Sequence, residues 1–573
     1  MSSISAGSII TRTYNNFRGV DFSDDEVSQY RSPNSLNMWK DYKKLGKCIE
    51  TRPDIELYQS MSNSVYGIFP YTINTIEHLI IHSGTSLFDL NMNTKGIKKI
   101  KENGMNPIRS YSFIYNNILY IKDGINYLTY DGDILKDVEG FIPTTSISRS
   151  PSGGGKDYQH VNLINSYRKN SFCADGKSKD YYLDSPIMDN SNIIVWINNI
   201  KQTSGYSVNI STGCVTFITA PNKPDTDGED NVIIQYSKTI SGNKEMILKC
   251  KLLEVFDNRV FFAGNIDYPN TIFHSSLDNP TYISDEDHYS EGMDGAIVKA
   301  MIASGNALYT FKEPSSSNTS VFYHVPSEYT DSNTGLATKA YASQHSSISK
   351  GCIATAINFN DDIVMFSSEG MEGITGSITS EQVLSHRSSV IDSKLLQERN
   401  YKNMILQEFV GYLLVIIDNH IYLADSRSKF TNASHTEYEW FYWELSKNIT
   451  SATVKNEILY LGTEDGIYSL TKVDTNINSY WTTCEDVFDA PNYQKITNKR
   501  GCICDLDGNI VLSVKTDNRD WEKITLNENT NGYLVPRIKE KKWKKIQFKF
   551  SSNEHFGLYD FTIQSFMGSF VKR

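Results

Sequence analysis

The chain has 573 residues, 39% apolar and 21% charged, which is enough to bury real cores and excludes a disordered protein. Its formal net charge is −11, so there is no global surplus of Lys and Arg to neutralise phosphates, and tight or sequence-specific DNA binding is not expected. The length is too great for one ordinary domain and points to three or four units, although a propeller absorbs several hundred residues as one.

The 35 Tyr and 26 Phe, beside abundant Ile, Val and Thr, suit the half-buried surface of a pleated sheet, and recurrent Asn-, Asp-, Ser- and Gly-rich breaks supply tight turns. The class is therefore mainly β. The start, MSSISAGSIITRTY, lacks a basic stretch followed by an apolar one, so no secretory signal is expected. Residues 1–60 carry few strand patterns and close on Thr51-Arg52-Pro53; they read as an N-terminal docking segment. Residues 61–150 begin a β-propeller-like array. Arg149 to Asp157, with Ser152-Gly-Gly-Gly-Lys156, reads as a flexible linker into an inserted β-sandwich over 151–242. Within that module Tyr181-Tyr-Leu, Ile193-Ile-Val-Trp-Ile, Gly205-Tyr-Ser-Val, Thr212-Gly-Cys-Val-Thr-Phe and Asn231-Val-Ile-Ile-Gln-Tyr are short alternating strands. A further break falls near 219–231. The array resumes over 243–472, and after a polar stretch a second, C-terminal β-sandwich fills 473–573, where Ile510-Val-Leu-Ser-Val and Tyr559-Asp-Phe-Thr-Ile alternate cleanly.

The array rests on a repeated unit: a short apolar strand, a turn and a second apolar strand. Its copies are His78 to Leu90, Asn117 to Tyr130, Asn258 to His274, Asn306 to Val325, Asp362 to Ile374, Gly411 to Leu423 and Glu457 to Leu470. The first strand of each is a nearly continuous apolar run, as burial on both faces requires. Spacing is irregular, so six or seven blades are expected, with a pair of large sandwiches as the alternative. Val410 to Ile417, the longest apolar run, is too short to span a bilayer, and no membrane segment is expected. Val390 to Gln407 has helical spacing and is expected to hold one helix.

Catalytic signatures are missing: no GxSxG, no HExxH, no P-loop. The Gly-Gly-Gly-Lys stretch lacks the strand and helix that aim N–H groups at an anion. The paired carboxylates Asp24-Asp25-Glu26 and Asp285-Glu286-Asp287 are adjacent in sequence, which does not make them converge in space. Asp505 to Asn509 is a fragment of a calcium loop and reads as a hairpin turn. The eight Cys have no metal spacing and read as buried reduced thiols, with Cys502 and Cys504 on one face of a strand. No enzyme activity, cofactor or metal is expected. Arg537 to Lys549 carries seven basic residues against one acidic; it could meet phosphate or an acidic partner, or block edge pairing as lysines on an exposed strand.

Three stretches carry a resemblance: Asn16-Phe-Arg18-Gly19-Val20-Asp21, Ser32-Pro33-Asn34-Ser35-Leu36-Asn37-Met38 and Glu50-Thr51-Arg52-Pro53. They resemble the opening of bacteriophage tail nozzle or tail tubular virion proteins with a propeller core, although Asp54 stands where that family has Gly. The inserted module, with Asn170 to Gly176 and Val195-Trp-Ile-Asn198, and the ending around Trp543 and Phe556-Gly-Leu-Tyr559 are similar to the same family. The resemblance implies a virion protein made in the host cytoplasm, and a self-assembled ring, commonly a hexamer. It further implies contact with the portal, adaptor and other tail proteins, with double-stranded DNA passing through the lumen without sequence-specific binding. Arg18, Gly19, Asp21, Pro33, Asn37, Arg52 and Pro53 would then serve docking or assembly. The competing readings are a receptor-binding or adhesion module and a glycan-degrading propeller.

Overall fold

The computed structural model describes residues 7–570 except 24–26, 44–47, 317–318, 331–334, 336, 376–382, 433–434, 473–475, 527–532 and 539–541. Seven four-stranded antiparallel sheets, six of them with their strands in chain order from the axis outward, form the blades of a β-propeller. Blade one spans Val65–Ile73 to Ile97–Lys101, blade two Tyr111–Tyr115 to Leu135–Asp137, and blade three Leu252–Phe256 to His288–Ser290. Blade four runs from Val298–Ser304 to Ser343–His345, with an extra hairpin (Ser327–Thr330 and Ala337–Ala340) before its last strand. Blade five runs from Ala356–Phe359 to Val383–His386, and blade six from Ile405–Phe409 to His435–Glu444. Each repeat found in the sequence is strands two and three of one blade, so the number is seven.

Blade seven explains how the ring closes. Its inner strands are Ser451–Lys455, Ile458–Gly462 and Gly466–Lys472, but its outer strand is Asp54–Ser60, from the other end of the chain, paired antiparallel with Gly466–Lys472. Ser451–Lys455 packs beside Val65–Ile73 of blade one, completing the circle.

Local backbone chemistry makes the blades. The turn from strand one to strand two has two successive positive-φ residues in six blades: Asn74-Thr75, Asn116-Asn117, Asp257-Asn258, Asn360-Asp361, Val410-Gly411 and Asn456-Glu457. Two such residues define the hairpin turn whose twist matches that of the strands, and Asn and Asp tolerate it best. The second strand is then shared between two cores. In Tyr412–Ile417 all six residues are buried; Tyr412, Leu414 and Ile416 face one cluster, while Leu413, Val415 and Ile417 face the blade five side. At about 1.5–3 kcal/mol for each large apolar side chain taken from water, such strands dominate the propeller's stability.

The inserted sandwich lies between blades two and three. A six-stranded sheet, whose central strands are Tyr167–Phe172 and Val232–Ser237, covers a three-stranded sheet of Asp180–Tyr182, Cys214–Phe217 and Tyr206–Asn209. Phe172, Tyr181, Val195, Val215, Phe217, Ile234 and Tyr236 form a core of their own. The expected linker at 149–157 is instead a hairpin turn of this module: Thr144–Arg149 pairs with Lys156–Asp157, and Gly155, at φ 99°, sits where a Cβ would meet Ile147 O at 2.8 Å. The break at 219–231 is likewise internal, joining Cys214–Phe217 to Val232–Ser237.

The C-terminal sandwich draws on both ends of the chain. One sheet places Ile9–Tyr14, Ile49–Thr51 and Tyr493–Asp507 beside Gly557–Phe570; the other sets Ser35–Leu36 on Ser479–Thr482, followed by Ile546–Ser552, Ile510–Thr516 and Glu522–Leu526. Residues 1–60 therefore do not form a separate segment: those described divide between this sandwich and blades six and seven. The core is continuous from Leu459 and Leu461 of blade seven through Trp39, Trp443 and Trp481 to Phe548, Phe550 and Phe561.

Other expectations change too. Residues 390–407 hold one short α-helix, Asp392–Leu395, and a 3-10 turn, Tyr401–Asn403, before strand Ile405–Phe409, because that stretch has to enter blade six. Asp505 to Asn509 is a corner that carries the chain from one sheet to the other, not a hairpin within one. The basic run falls partly outside the described residues. Of its described strands, Lys542–Trp543 pairs on one side with Tyr493–Asp507 and leaves Lys542 exposed, whereas Ile546–Ser552 is interior between Ser479–Thr482 and Ile510–Thr516, so Lys549 guards no edge; Lys549 lies over the Tyr480 ring and Lys545 pairs with Glu485.

Candidate functional site

Two places bring functional groups together: the central channel and the junction where the propeller meets the C-terminal sandwich. Strands one of the seven blades line the channel, a cavity of about 290 Å³ whose walls include Ile68, Tyr111, Ile302, Ile357 and Leu406. Its charged lining, among the described residues, is Glu254, Lys299 and Arg109. Burial pushes the Glu254 carboxyl up to about 7, opposed by a hydrogen bond that its Oε1 accepts from the Ala303 N–H at 3.3 Å. Lys299 pairs with Glu313 at 3.4 Å. Arg109 precedes blade two and donates through Nη1 to Met404 O at 2.9 Å and through Nη2 to Asn403 O at 2.8 Å, just before blade six. The guanidinium thereby straps one end of the channel across non-adjacent blades. A lone carboxyl that titrates near neutrality can exchange a proton. Acid–base hydrolysis of a glycosidic bond needs a second carboxylate opposite the first, and no other acidic residue among the described ones lines this channel.

The second place contains the residues singled out in the opening segment. Asn37, at φ 57° and buried, donates from its amide N to Tyr442 O at 3.0 Å and from Nδ2 to Asn478 O at 2.9 Å. Its Oδ1 accepts from Glu444 N and from Arg52 Nε, both at 2.9 Å. Arg52 is 1% exposed; Nη1 donates to Pro53 O at 2.8 Å and Nη2 to Glu444 O at 3.0 Å. Burial lowers its guanidinium to about 10, with Asp54 at 3.4 Å opposing the shift. Gly19, at φ 135°, lies so close to blade six that a Cβ would meet Trp440 O at 2.2 Å. Asp21 is buried beside it, its N–H donating to Ser32 O at 2.8 Å. The hydroxyl of Ser32, next to the half-buried Pro33, reaches Thr482 O at 2.6 Å in the sandwich. Arg18 stacks over the Tyr30 ring, 5.4 Å from its centroid. The structure thus gathers all seven singled-out residues along one seam joining blade six, blade seven and the C-terminal sandwich.

Sequence reading missed the strongest ion pair of the seam. Arg31 grips Glu439 with two hydrogen bonds, Nε to Oε2 at 2.7 Å and Nη2 to Oε1 at 2.9 Å, and its guanidinium also stacks 3.8 Å from the Phe430 ring. The two residues are 408 positions apart and neither sits in a local motif, so no signal in the chain announces them. The same holds for the buried pair His324 and Glu291, whose Nε2 and Oε1 lie 2.6 Å apart between blades three and four. Elsewhere, Asp24-Asp25-Glu26 lies outside the described residues, and Asp287 contributes a half-exposed carboxylate 3.9 Å from His274 Nε2. None of the eight Cys forms a disulfide; seven are buried and Cys173 half-buried, and burial pushes the Cys502 thiol up to about 12. No described helix is long and apolar enough to cross a membrane.

No family model and no curated protein matches the sequence. Among solved structures the chain is similar to BamB from Moraxella catarrhalis (9% identity, TM-score 0.30, 78% of this chain and 96% of that one). It is also similar to YCF48 bound to D1 peptide (6%, 0.31, 73% and 94%) and to the β-propeller domain of Cps50 (Swd1) from Myceliophteria thermophila (9%, 0.30, 72% and 98%). At such distances the architecture is argued from the seven sheets themselves.

Proposed function

We propose that the chain is a non-enzymatic structural protein of a bacteriophage tail, one subunit of a nozzle or head-to-tail ring that retains the packaged genome and passes it during ejection. The observation that carries this reading is the seam: the residues behind the resemblance to tail nozzle proteins are those that lock propeller and C-terminal sandwich together. A subunit bearing the load of confined DNA needs modules that do not shift against each other, and a shared apolar core with a buried Asn37–Arg52 knot supplies that. The propeller's own channel, at about 290 Å³ and strapped by Arg109, admits no duplex, so the DNA path belongs to the lumen between subunits. A net charge of −11 suits a wall past which DNA slides without adhering.

Negative-stain images of particles labelled with an antibody against this chain test the reading. A ring of label on the tail axis is expected. Label on a peripheral fibre, or glycan hydrolysis by the purified chain, would overturn it.

A further inference from the structure

We propose that the cleft between the inserted sandwich and the connecting segments that pack on blades two and three is a binding site for a phosphate-type oxyanion, which would clamp sandwich and connectors together. The cleft has a volume of about 310 Å³ and lies where the segment 161–166 and the exit from the insert at 238–244 come together. Three cations line it: Arg168 from the sandwich strand Tyr167–Phe172, Lys238 just after Val232–Ser237, and Lys244 from the short helix Asn243–Leu248 that leads into blade three. No carboxylate lines it among the described residues. Asp189, whose Oδ2 accepts from Ser237 and Thr239, and Asp285 both feel the Arg168 charge, but neither lines the cleft.

Arg168 makes the site more than a patch of positive charge. It is 6% exposed and spends Nη2 on Lys238 O at 3.0 Å, while its buried Nε has no partner. A buried guanidinium N–H without an acceptor is costly, and the cavity beside it is where the acceptor belongs. Lys238 is held in place by Pro186 O at 2.9 Å. The Lys244 amine and the Asn243 side-chain amide have no ion pair or hydrogen bond among the described residues, so both are free to turn to the same ligand. A planar fork, an ammonium and an amide converging from two bodies match the several oxygens of a tetrahedral oxyanion. The same chemistry is presented by free phosphate and by a nucleic-acid phosphodiester.

Calorimetric titration of the full chain with inorganic phosphate, at ionic strength held constant with chloride, tests the site. One phosphate per chain is expected. Lys244→Gln, a change at an exposed and unpaired side chain that leaves the fold intact, should weaken binding about tenfold, the loss of one charge-assisted contact, and Lys244→Arg should retain it. In a second arm, displacement of phosphate by a short single-stranded oligonucleotide would identify the phosphodiester as the ligand, and failure to displace it would identify free phosphate. Absence of phosphate-specific heat, or affinity unchanged in Lys244→Gln, would overturn the proposal.

Discussion

The molecule contains two β-sandwiches that differ in how they are attached. The inserted one has a closed core of its own, shared with no blade, and joins the propeller through a separate contact, in which Leu163 and Ile164 pack into the core of blades two and three and Asn162 Nδ2 donates to Phe141 O and Thr281 O at 2.9 and 2.8 Å. The C-terminal one shares its core with blades six and seven and is sewn on by strands from the first 60 residues. Apolar continuity therefore makes the propeller and C-terminal sandwich one unit, while the insert, whose own core is separate, is a second unit joined through a short connector. The same architecture, placed differently, yields a rigid block and an appendage.

The sharpest way to break that comparison is Arg52→Ala. Removing the guanidinium leaves Asn37 Oδ1 with the Glu444 N–H alone and strips the Glu444 carbonyl of its Arg52 donor, and the block should lose about 3–5 kcal/mol in urea unfolding, with the insert's transition unmoved. The mirror experiment is Ile234→Ala in the insert's core. It should cost about 2–4 kcal/mol, confined to the insert, and a matching loss in the block would contradict the separation of the two cores.

Glu254 sharpens the comparison through pH. Folded Glu254 keeps its proton up to about 7, whereas the unfolded side chain releases it near the ordinary carboxylate value. Folding therefore takes up a proton between those values, and this group's contribution is full at low pH and lost as pH rises through about 7. Glu254→Gln should equal the parent only below the ordinary carboxylate value, near pH ~4, and exceed it by about 1–3 kcal/mol near pH ~8, in the block's transition alone. The smallest effect concerns Val410, a β-branched residue at φ 42° in the turn that opens blade six. Val410→Asn should raise the block's stability by about 0.5–1 kcal/mol, measured as a shift in the urea midpoint.

The sequence revealed what is local. Runs such as Tyr412 to Ile417 announce a strand buried on both faces, and the seven copies of that pattern count the blades. The better punctuation, pairs such as Asn116-Asn117 and Asn456-Glu457, lies one strand earlier, and it would have located strand one of six blades. Glycines misled where their backbone freedom serves a tight hairpin: Gly153 to Gly155 resemble a linker by composition but turn within a sheet. What stayed hidden is non-local. Nothing near Asp54 to Ser60 says that it pairs with Gly466 to Lys472, nor does Arg31 advertise Glu439, because each partner lies some 400 residues away. Gly19, Asp21, Asn37 and Arg52 stand out in the sequence, and the structure shows them in close backbone approach and buried hydrogen bonding at the seam, whereas Arg18 lies over the Tyr30 ring.

Hydrogen exchange under native conditions tests the one-block claim most directly, because amides that open together share one opening free energy. The amides of Thr51 and Arg52, bonded to Phe556 O and Asn37 O, should open in a single step with those of blade six strand Tyr412–Ile417 and sandwich strand Ile546–Ser552, while Val232–Ser237 of the insert opens on its own. Exchange of Ile546–Ser552 independent of Tyr412–Ile417 would contradict it.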